Sequence, residues 1–231
     1  MRGWSPSREG RLALPERVPL GSAELLDYYR RRAAEYEAIY AKPERQSDLA
    51  VLRRAIPAML RGARVLEIAC GTGYWTQLAA DVAAEVVATD LAEEPMRIAQ
   101  SKSYEKQPVF TFADAYALPE SLGRFDAALA VFWWSHVPRQ RISEFLASLH
   151  GRLEHGARVV LMDNRFVEGS STPVSEIDPQ GNTYQLRRLG DGSQIRVLKN
   201  FPAEAELRSY LPQTLNVELL EYYWLADYRL P

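Results

Sequence analysis

The sequence predicts an α/β protein with a doubly wound, mostly parallel sheet of seven strands and helices on both faces. After Gly62, short apolar runs alternate with segments of helical periodicity. These runs are hydrophobic on both faces, which is typical of a parallel sheet that helices cover on both sides. A glycine turn, "CGTG" at 70–73, joins the first run to a helix, which is the usual position of a ligand in such folds.

The composition is that of an ordinary globular protein. The chain has 231 residues, of which 47% are hydrophobic and 25% charged, and its net charge of −2 gives no overall field that favours nucleic acid. The single cysteine, Cys70, excludes an intrachain disulfide and a multi-cysteine metal site. No run approaches the roughly 20 apolar residues of a membrane span, and the N-terminus lacks the apolar core of a signal peptide. We therefore expect a cytoplasmic protein with no membrane partner.

The chain begins with an arm and two helical segments. Residues 1–21 mix Arg, Pro, Gly and Ser without periodicity and predict a flexible arm, which leaves 22–231 as one domain. From Ser22, a plausible N-cap, the periodicity predicts a helix that Pro43 ends, and "QSDLAVLRRAI" predicts a second helix. One face of the first helix carries Leu25, Tyr29, Arg32, Tyr36 and Tyr40.

Five strands and their helices follow in alternation. The predicted strands are "ARVLEIA", "EVVATD", "PVFTFAD", "FDAALAVFWW" and "ARVVLMDN". The predicted helices between them are "YWTQLAADVA", "EEPMRIAQSK" and "RQRISEFLASLHGRL". Strands that alternate with helices in this way predict βαβ units and a parallel sheet.

Residues 164–200 break the alternation. Two alternating runs flank Gly190-Asp191-Gly192, which predicts a β-hairpin. The segment "PAEAELRSYL" predicts a helix, and "LNVELLEYYWLADYRL" predicts one or two strands at the end of the chain. The predicted number of strands is seven.

The glycine turn does not have the spacing of a dinucleotide or phosphate loop. The residues are Ala69-x-Gly71-x-Gly73, with Thr76 where the last glycine of G-x-G-x-x-G would stand, and no Gly-Lys-Ser/Thr occurs. Two glycines alone are equally consistent with a turn that binds nothing. The turn still leaves bare backbone and the N–H groups of a helix start, which suit a carboxylate or phosphate.

Acidic residues at three successive strand ends favour a ligand. Glu67 lies in an otherwise apolar strand, where a carboxylate is costly unless it accepts hydrogen bonds or meets a cation. Asp90 ends the next strand, at the position where an acid binds ribose hydroxyls, and Asp114 ends the third. Packing alone does not require acids at these positions.

These motifs resemble, in order and spacing, the class I S-adenosylmethionine-dependent methyltransferases. The residues that carry the resemblance are "VLEIACGTG", "VVATDLAEEPMRIA", "FADAYALP", "FDAALAVFWWSHVP" and "GARVVLMD", over about 22–165. The resemblance implies a Rossmann-like fold, an antiparallel C-terminal strand pair and a helical lid over 22–60. It also implies S-adenosylmethionine as the cofactor and transfer of its methyl group.

The resemblance implies a cofactor role for residues of the strand ends and the lid. The loop from Glu67 through Ala69 and Gly71 to Gly73 would lie along the methionine part of the cofactor. Asp90 would take the ribose hydroxyls, Leu91 would pack on the adenine, and Asp114 would bind the adenine amino group, with Ala115 a backbone contact. Tyr28, Arg32 and Tyr36 are the lid candidates for the cofactor carboxylate, although a tyrosine stripe is more often core.

The acceptor is expected beyond the fourth strand, at "FWWSHVP". Trp133 and Trp134 alternate across the predicted strand, so that one faces the pocket, or both are core. His136 is a candidate general base or a residue that stabilises its loop. The insertion 164–200 would lie over this site, where Arg187, Arg188 and Arg196 would meet an anionic acceptor or, more simply, remain solvated edge charges.

The class of acceptor is narrowed by what the sequence lacks. The tetrad typical of nucleobase amino-group methylation is missing, and no basic groove is visible. We therefore expect a small-molecule acceptor that is methylated on an oxygen or nitrogen atom. We expect no nucleic-acid partner and no metal site. An RNA or protein methyltransferase, a nicotinamide-dependent oxidoreductase and a binding module without turnover remain open alternatives. We expect a monomer or a homodimer.

Overall fold

The computed structural model describes residues 22–231, and the predicted arm over 1–21 lies outside this range. Helix α1 (Ser22–Arg32) continues as a 3₁₀ helix over Ala33–Ala41, and α2 spans Gln46–Leu60. The predicted first helix is thus divided at Arg32. Pro57 lies inside α2 and does not end it.

The main sheet has seven strands in the order β3-β2-β1-β4-β5-β10-β9. The first five strands are parallel, and β10 and β9 are antiparallel to their neighbours, which confirms the predicted fold class. The strands of this sheet are β1 (Arg64–Ile68), β2 (Glu85–Asp90), β3 (Val109–Phe112), β4 (Phe125–Val131), β5 (Leu153–Asn164), β9 (Asn216–Leu219) and β10 (Tyr223–Arg229).

Both faces of the sheet are buried. On β1, Leu66 and Ile68 enter one apolar cluster, and Val65 enters the cluster on the opposite face. Burial of such side chains stabilises the fold by about 1.5–3 kcal/mol each. The helices beside the sheet are α2, α3 (Tyr74–Ala80), α4 (Glu93–Ser101), α5 (Ile142–His150) and α6 (Glu204–Tyr210).

The strand order reverses beside β1. The chain runs outward from β1 to β3 and then returns to the other side of β1 as β4. Glu67 of β1 is in register with Ala88 of β2 and Leu129 of β4. The carboxyl ends of these strands therefore meet at a topological switch point, where open α/β sheets bind their ligands.

The insertion forms a second sheet of three strands, which the predicted count of seven does not include. Its strands are β6 (Glu176–Ile177), β7 (Thr183–Arg188) and β8 (Gln194–Leu198), and β7 and β8 form the predicted hairpin. The hairpin packs on α1, where Tyr28 joins Leu189 and Val197 in a small apolar cluster. Arg31 of α1 also forms an ion pair with Asp191 at the hairpin turn.

Strand β4 is shorter than the sequence predicts. It ends at Val131, and Phe132 adopts a left-handed backbone conformation with φ +57°. A 3₁₀ turn over Trp134–His136 follows, so Trp133 and Trp134 do not alternate across a strand. The predicted extension is wrong because the left-handed turn at Phe132 takes the chain out of the sheet. Among the helices of residues 22–231, none has the length and apolarity to cross a bilayer.

Candidate functional site

A cavity of about 240 Å³ lies at the switch point. It is bounded by the loops after β1 to β4 and by the N-terminal helices. The predicted cofactor and acceptor residues that line it are Glu67, Ala69, Gly71, Asp90, Leu91, Asp114, Ala115, Tyr36, Trp133 and His136. The fold thus brings together residues that are up to 100 positions apart in the chain.

The two glycines of the turn serve different purposes. Gly71 lines the cavity at φ +56°, and a Cβ atom on it would meet no heavy atom within 4 Å, so its bare backbone faces open space. Gly73 does not line the cavity. A Cβ atom there would lie 2.8 Å from both the Ala99 Cβ and the Tyr104 hydroxyl, so Gly73 permits the close packing of the turn against α4. The predicted contact of Gly73 with the cofactor therefore stays a prediction that this packing role does not require.

Two residues other than glycine are left-handed at the strand ends. Ala69, after β1, has φ +53°, and Phe132, after β4, has φ +57°. Such a conformation costs an L-residue about 1–2 kcal/mol. Both residues line the cavity, and strain of this kind concentrates at functional sites.

Asp90 fixes the shape of the glycine turn. Its carboxylate accepts a hydrogen bond from the Gly71 N–H at 2.8 Å and another from the Ala92 N–H at 2.7 Å. Burial raises the pKa of this carboxyl, and the backbone N–H groups act in the opposite direction. A carboxylate offers about four lone-pair sites, so Asp90 retains acceptor capacity toward the cavity.

Glu67 is a buried carboxyl without a full set of partners. It is 2% exposed, and its Oε2 atom has no hydrogen-bond partner among the described residues. Burial raises the pKa of Glu67 to about 8; the nearby Thr76 hydroxyl acts to lower this pKa, and the charge of Asp90 acts to raise it. A cationic ligand in the cavity would stabilise the ionised form.

Asp114 and Trp133 lie at the part of the cavity formed by the loops after β3 and β4. Asp114 Oδ1 accepts a hydrogen bond from the Tyr116 N–H at 2.9 Å. The Trp133 ring lies edge-on to the Tyr116 ring at 6.0 Å between centroids, and its buried Nε1–H has no partner among the described residues. These polar groups fit a flat ligand with hydrogen-bonding edges.

His136 is buried and bonded through both ring nitrogens. Nδ1 lies 2.7 Å from the Leu198 carbonyl oxygen, and Nε2 lies 2.7 Å from the Tyr29 hydroxyl. Because a carbonyl only accepts, Nδ1 carries the proton and Nε2 accepts from Tyr29. Burial lowers the pKa of His136 to about 3, and the charge of Lys199 adds to this, so the ring is neutral at pH 7.

The structure places Trp134 away from the cavity. It is 2% exposed and packs edge-on against Trp224 and Tyr210, each at 6.3 Å between ring centroids. Of the two tryptophans considered for the acceptor site, Trp133 lines the cavity and Trp134 does not, since the 3₁₀ turn directs the Trp134 ring into the core. Arg188 is exposed, and Arg196 is paired with Glu176 at 2.8 Å; neither residue lines this cavity.

A second cavity, of about 290 Å³, adjoins the first. Tyr29, Tyr36, Phe132 and His136 line both cavities and form a shared wall. The predicted lid residues Tyr28 and Arg32 line only the second cavity. The cationic residues that line it are Arg32, Lys42, Arg45, Arg187 and Lys199.

Lys199 belongs to a buried polar cluster that no sequence pattern predicts. Its ammonium donates to the Ser135 hydroxyl at 2.6 Å and to Asp163 Oδ1 at 3.1 Å, and the Ser135 N–H donates to Asp163 Oδ2 at 2.8 Å. Burial acts to raise the pKa of Asp163, but the charge of Lys199 holds it below its usual range. Asp163 lies near the end of the predicted strand "ARVVLMDN", a position that resembles those of the three acids already recognised.

Comparison with known proteins finds similarity to methyltransferases. A family model described as "Methyltransferase domain" matches residues 65–156. The malonyl-[acyl-carrier protein] O-methyltransferase of Pseudescherichia vulneris is 36% identical over 131 residues, which are 55% of this chain and 49% of that protein. A ubiquinone biosynthesis O-methyltransferase of Xanthomonas axonopodis pv. citri is 37% identical over 158 residues, 65% of this chain and 61% of that protein. The match thus covers about half to three fifths of these relatives.

Solved structures extend the similarity over the whole fold. DhpI, in a complex with SAM and HEP, superposes with a TM-score of 0.75 and 28% identity, over 93% of this chain and 100% of that chain. DhpI in a complex with SAH gives a TM-score of 0.73 at the same identity and coverage. Sequence motifs, strand order, the match to a methyltransferase-domain model and the structural neighbours agree, and the chain is similar to S-adenosylmethionine-dependent methyltransferases of class I.

Proposed function

We propose that this protein binds S-adenosylmethionine in the first cavity and transfers its methyl group to an oxygen or nitrogen atom of a small-molecule acceptor. The observation that carries the proposal is the pairing of Asp90 with the open backbone at Gly71. The Asp90 carboxylate accepts the Gly71 N–H at 2.8 Å, and space free of heavy atoms extends 4 Å from the position of a Gly71 Cβ.

The residues of the cavity fit the parts of this cofactor. Asp90, with acceptor capacity left, suits the ribose hydroxyls, and Asp114 with Leu91 and Ala115 suits the adenine. Glu67, whose Oε2 lacks a partner, suits a positive charge of the methionine part. Structural neighbours solved with SAM and SAH support the assignment.

The cofactor supplies a methyl group that its positive sulfur activates toward in-line displacement. The protein's contribution is alignment, which can lower such a barrier by about 7–11 kcal/mol at best. Trp133, Tyr36 and the Tyr29–His136 pair face the space beside the cofactor residues and would orient the acceptor. His136 is neutral with Nε2 bonded to Tyr29, so we assign it to positioning Tyr29, and its predicted role as a general base remains a hypothesis.

Calorimetric titration tests which cofactor the protein binds. S-adenosylhomocysteine should bind the purified chain, and NAD(H) should not, because the turn lacks the glycine spacing of dinucleotide sites. Tight binding of NAD(H) without S-adenosylhomocysteine would replace the proposal with the oxidoreductase alternative. A screen of small acceptors, scored by release of S-adenosylhomocysteine, tests transfer, with RNA and protein substrates as separate arms.

A further inference from the structure

The second cavity gathers positive charge that residues 22–231 leave unbalanced. Arg32, Lys42, Arg45 and Arg187 line it, and none of them has a carboxylate within ion-pair distance in residues 22–231. The fifth cation, Lys199, is paired with Asp163 at 3.1 Å. No Asp or Glu of this part of the chain lines the cavity.

Two guanidinium groups are also short of hydrogen-bond partners. Arg45 is 8% exposed and donates to Asn164 at 3.1 Å and to Ser170 at 3.2 Å, but its buried Nε–H has no partner among the described residues. Arg187 donates to Gln185 Oε1 at 2.6 Å, and its buried Nε–H is likewise without a partner in this part of the chain. A buried charged donor without an acceptor is costly, which indicates that an external group completes the site.

Hydroxyl groups add further donors to the same cavity. Ser170, Ser171 and Thr172 line it in succession along one loop, next to Arg45, and the Ser170 hydroxyl also donates to Glu44 Oε1 at 3.5 Å. Several unpaired cations with planar guanidinium forks and hydroxyls are the donor set that binds phosphate oxygens. One carboxylate would balance only part of this charge.

The position of the cavity relates it to the acceptor. It shares with the first cavity the wall formed by Tyr29, Tyr36, Phe132 and His136. A group held among the arginines therefore lies beside the space where the acceptor would meet the methyl donor. We propose, resting on the proposed function, that the acceptor is a small molecule that carries a phosphate-type dianion, and that Arg45, Arg187, Lys42 and the loop 170–172 bind this group.

Titration with inorganic phosphate at fixed ionic strength tests the site. The protein is first saturated with S-adenosylhomocysteine, and acetate is titrated in a parallel arm. Phosphate should bind the saturated protein at least about tenfold more tightly than acetate, because two guanidinium groups act together. Equal binding of acetate and phosphate, or no binding of phosphate, would overturn the proposal.

The carboxylate of the cofactor could compete with phosphate for the second cavity, because the resemblance names Arg32 as a candidate to bind that carboxylate. If that carboxylate binds the cationic side chains of the second cavity, S-adenosylhomocysteine will displace phosphate. This result would also overturn the proposal. Failure of S-adenosylhomocysteine to bind would instead reject the proposed function. Titration of phosphate into the ligand-free protein would then still decide whether the anion site exists.

Matched variants locate the site. Arg187→Gln should weaken phosphate binding about tenfold or more and leave the affinity for S-adenosylhomocysteine unchanged. Arg188→Gln, next in the same strand but exposed and outside the cavity, is the control and should bind phosphate as the parent does. Lys42→Gln, at an exposed position that lines the cavity, provides a second variant that does not depend on the packing of the hairpin. Parent-like phosphate binding by both Arg187→Gln and Lys42→Gln would overturn the assignment.

Discussion

The hydroxyl of Tyr29 lies 2.7 Å from Nε2 of His136, a residue 107 positions further along the chain. The pair joins helix α1 to the turn after β4 and forms part of the wall between the two cavities. The second nitrogen of His136 bonds the Leu198 carbonyl of the hairpin. One neutral imidazole therefore connects the N-terminal helix, the switch-point loop and the insertion.

Protonation of His136 should destabilise the fold. Its folded-state pKa of about 3 lies below the usual value of about 6.5, so at intermediate pH the unfolded chain binds a proton that the folded chain does not. Stability that is present above about pH 6.5 is lost as the pH falls toward 3. We expect the free energy of unfolding to drop by about 2 kcal/mol between pH 7 and pH 5 from this residue.

Urea unfolding at pH 5, 6 and 7 measures this effect. Because Glu67 also titrates in this range with the opposite sign, the effect of His136 is read as a difference from the parent. Relative to the parent, His136→Asn should gain about 2 kcal/mol between pH 7 and pH 5, whereas His155→Asn, at an exposed position, should keep the parent's pH dependence. If the two variants keep the same pH dependence as the parent, the imidazole of His136 is protonated in the folded protein.

Replacement of Asp90 should remove cofactor binding. Asp90→Asn keeps the shape of the side chain but loses the charge that receives the Gly71 and Ala92 N–H groups and, in the proposed function, the ribose hydroxyls. Two charge-assisted hydrogen bonds contribute about 3–6 kcal/mol, so the affinity for S-adenosylhomocysteine should fall at least about 100-fold. Calorimetry with Asp81→Asn, at an exposed helix end, is the control. Unchanged affinity in Asp90→Asn would leave this acid with a purely structural role.

The two glycines of the turn should respond differently to the same substitution. Gly71→Ala places a methyl group in the open space of the cavity, so S-adenosylhomocysteine binding should be lost, with a stability cost of about 1–2 kcal/mol from the positive φ. Gly73→Ala has the same backbone cost and in addition collides with Ala99 at 2.8 Å, so it should unfold at clearly lower urea concentration. Equal stability of the two variants, measured by urea unfolding, would contradict this assignment.

Local patterns were sufficient to predict the fold and much of the first cavity. Apolar runs and turn residues report directly on strands and hairpins, and the carboxyl ends of parallel strands must share one edge, which is why Glu67, Asp90 and Asp114 were recognised together. Trp133 and Trp134 could not be separated in this way. Their directions depend on the left-handed turn at Phe132, where a bulky side chain gives no local signal for that conformation.

The second cavity could not be predicted because its residues come from distant segments. Arg45 follows a proline break, Arg187 lies on the hairpin, and Lys199 follows β8, and each is an ordinary basic residue in its local sequence. Only the packing of the insertion on α1 brings them to one space. The partner of His136 was missed for the same reason, since Tyr29 belonged to a helical stripe of tyrosines.

The buried Lys199–Asp163 pair should be sensitive to removal of either partner. Lys199→Met leaves the Asp163 carboxylate buried without its cation, and loss of one member of such a pair costs about 3–5 kcal/mol. Arg208→Met, which breaks an exposed pair with Glu204 one helical turn away, should cost no more than about 0.5 kcal/mol. Urea unfolding at pH 7 compares the two. A similar small loss in both variants would show that water reaches Asp163.

Cofactor affinity should rise with pH through the titration of Glu67. In the ligand-free protein the pKa of Glu67 is about 8, so the carboxyl is mostly protonated at pH 7. A ligand with a positive group favours the ionised carboxylate and lowers this pKa, and binding must therefore release a proton. The affinity for S-adenosylhomocysteine should increase by up to about tenfold per pH unit below pH 8 and level off above it. Calorimetry at pH 7 in two buffers of different ionisation enthalpy should count most of one proton released. Glu67→Gln, which cannot titrate, should bind without this proton release, and persistence of the release in this variant would assign it to another group.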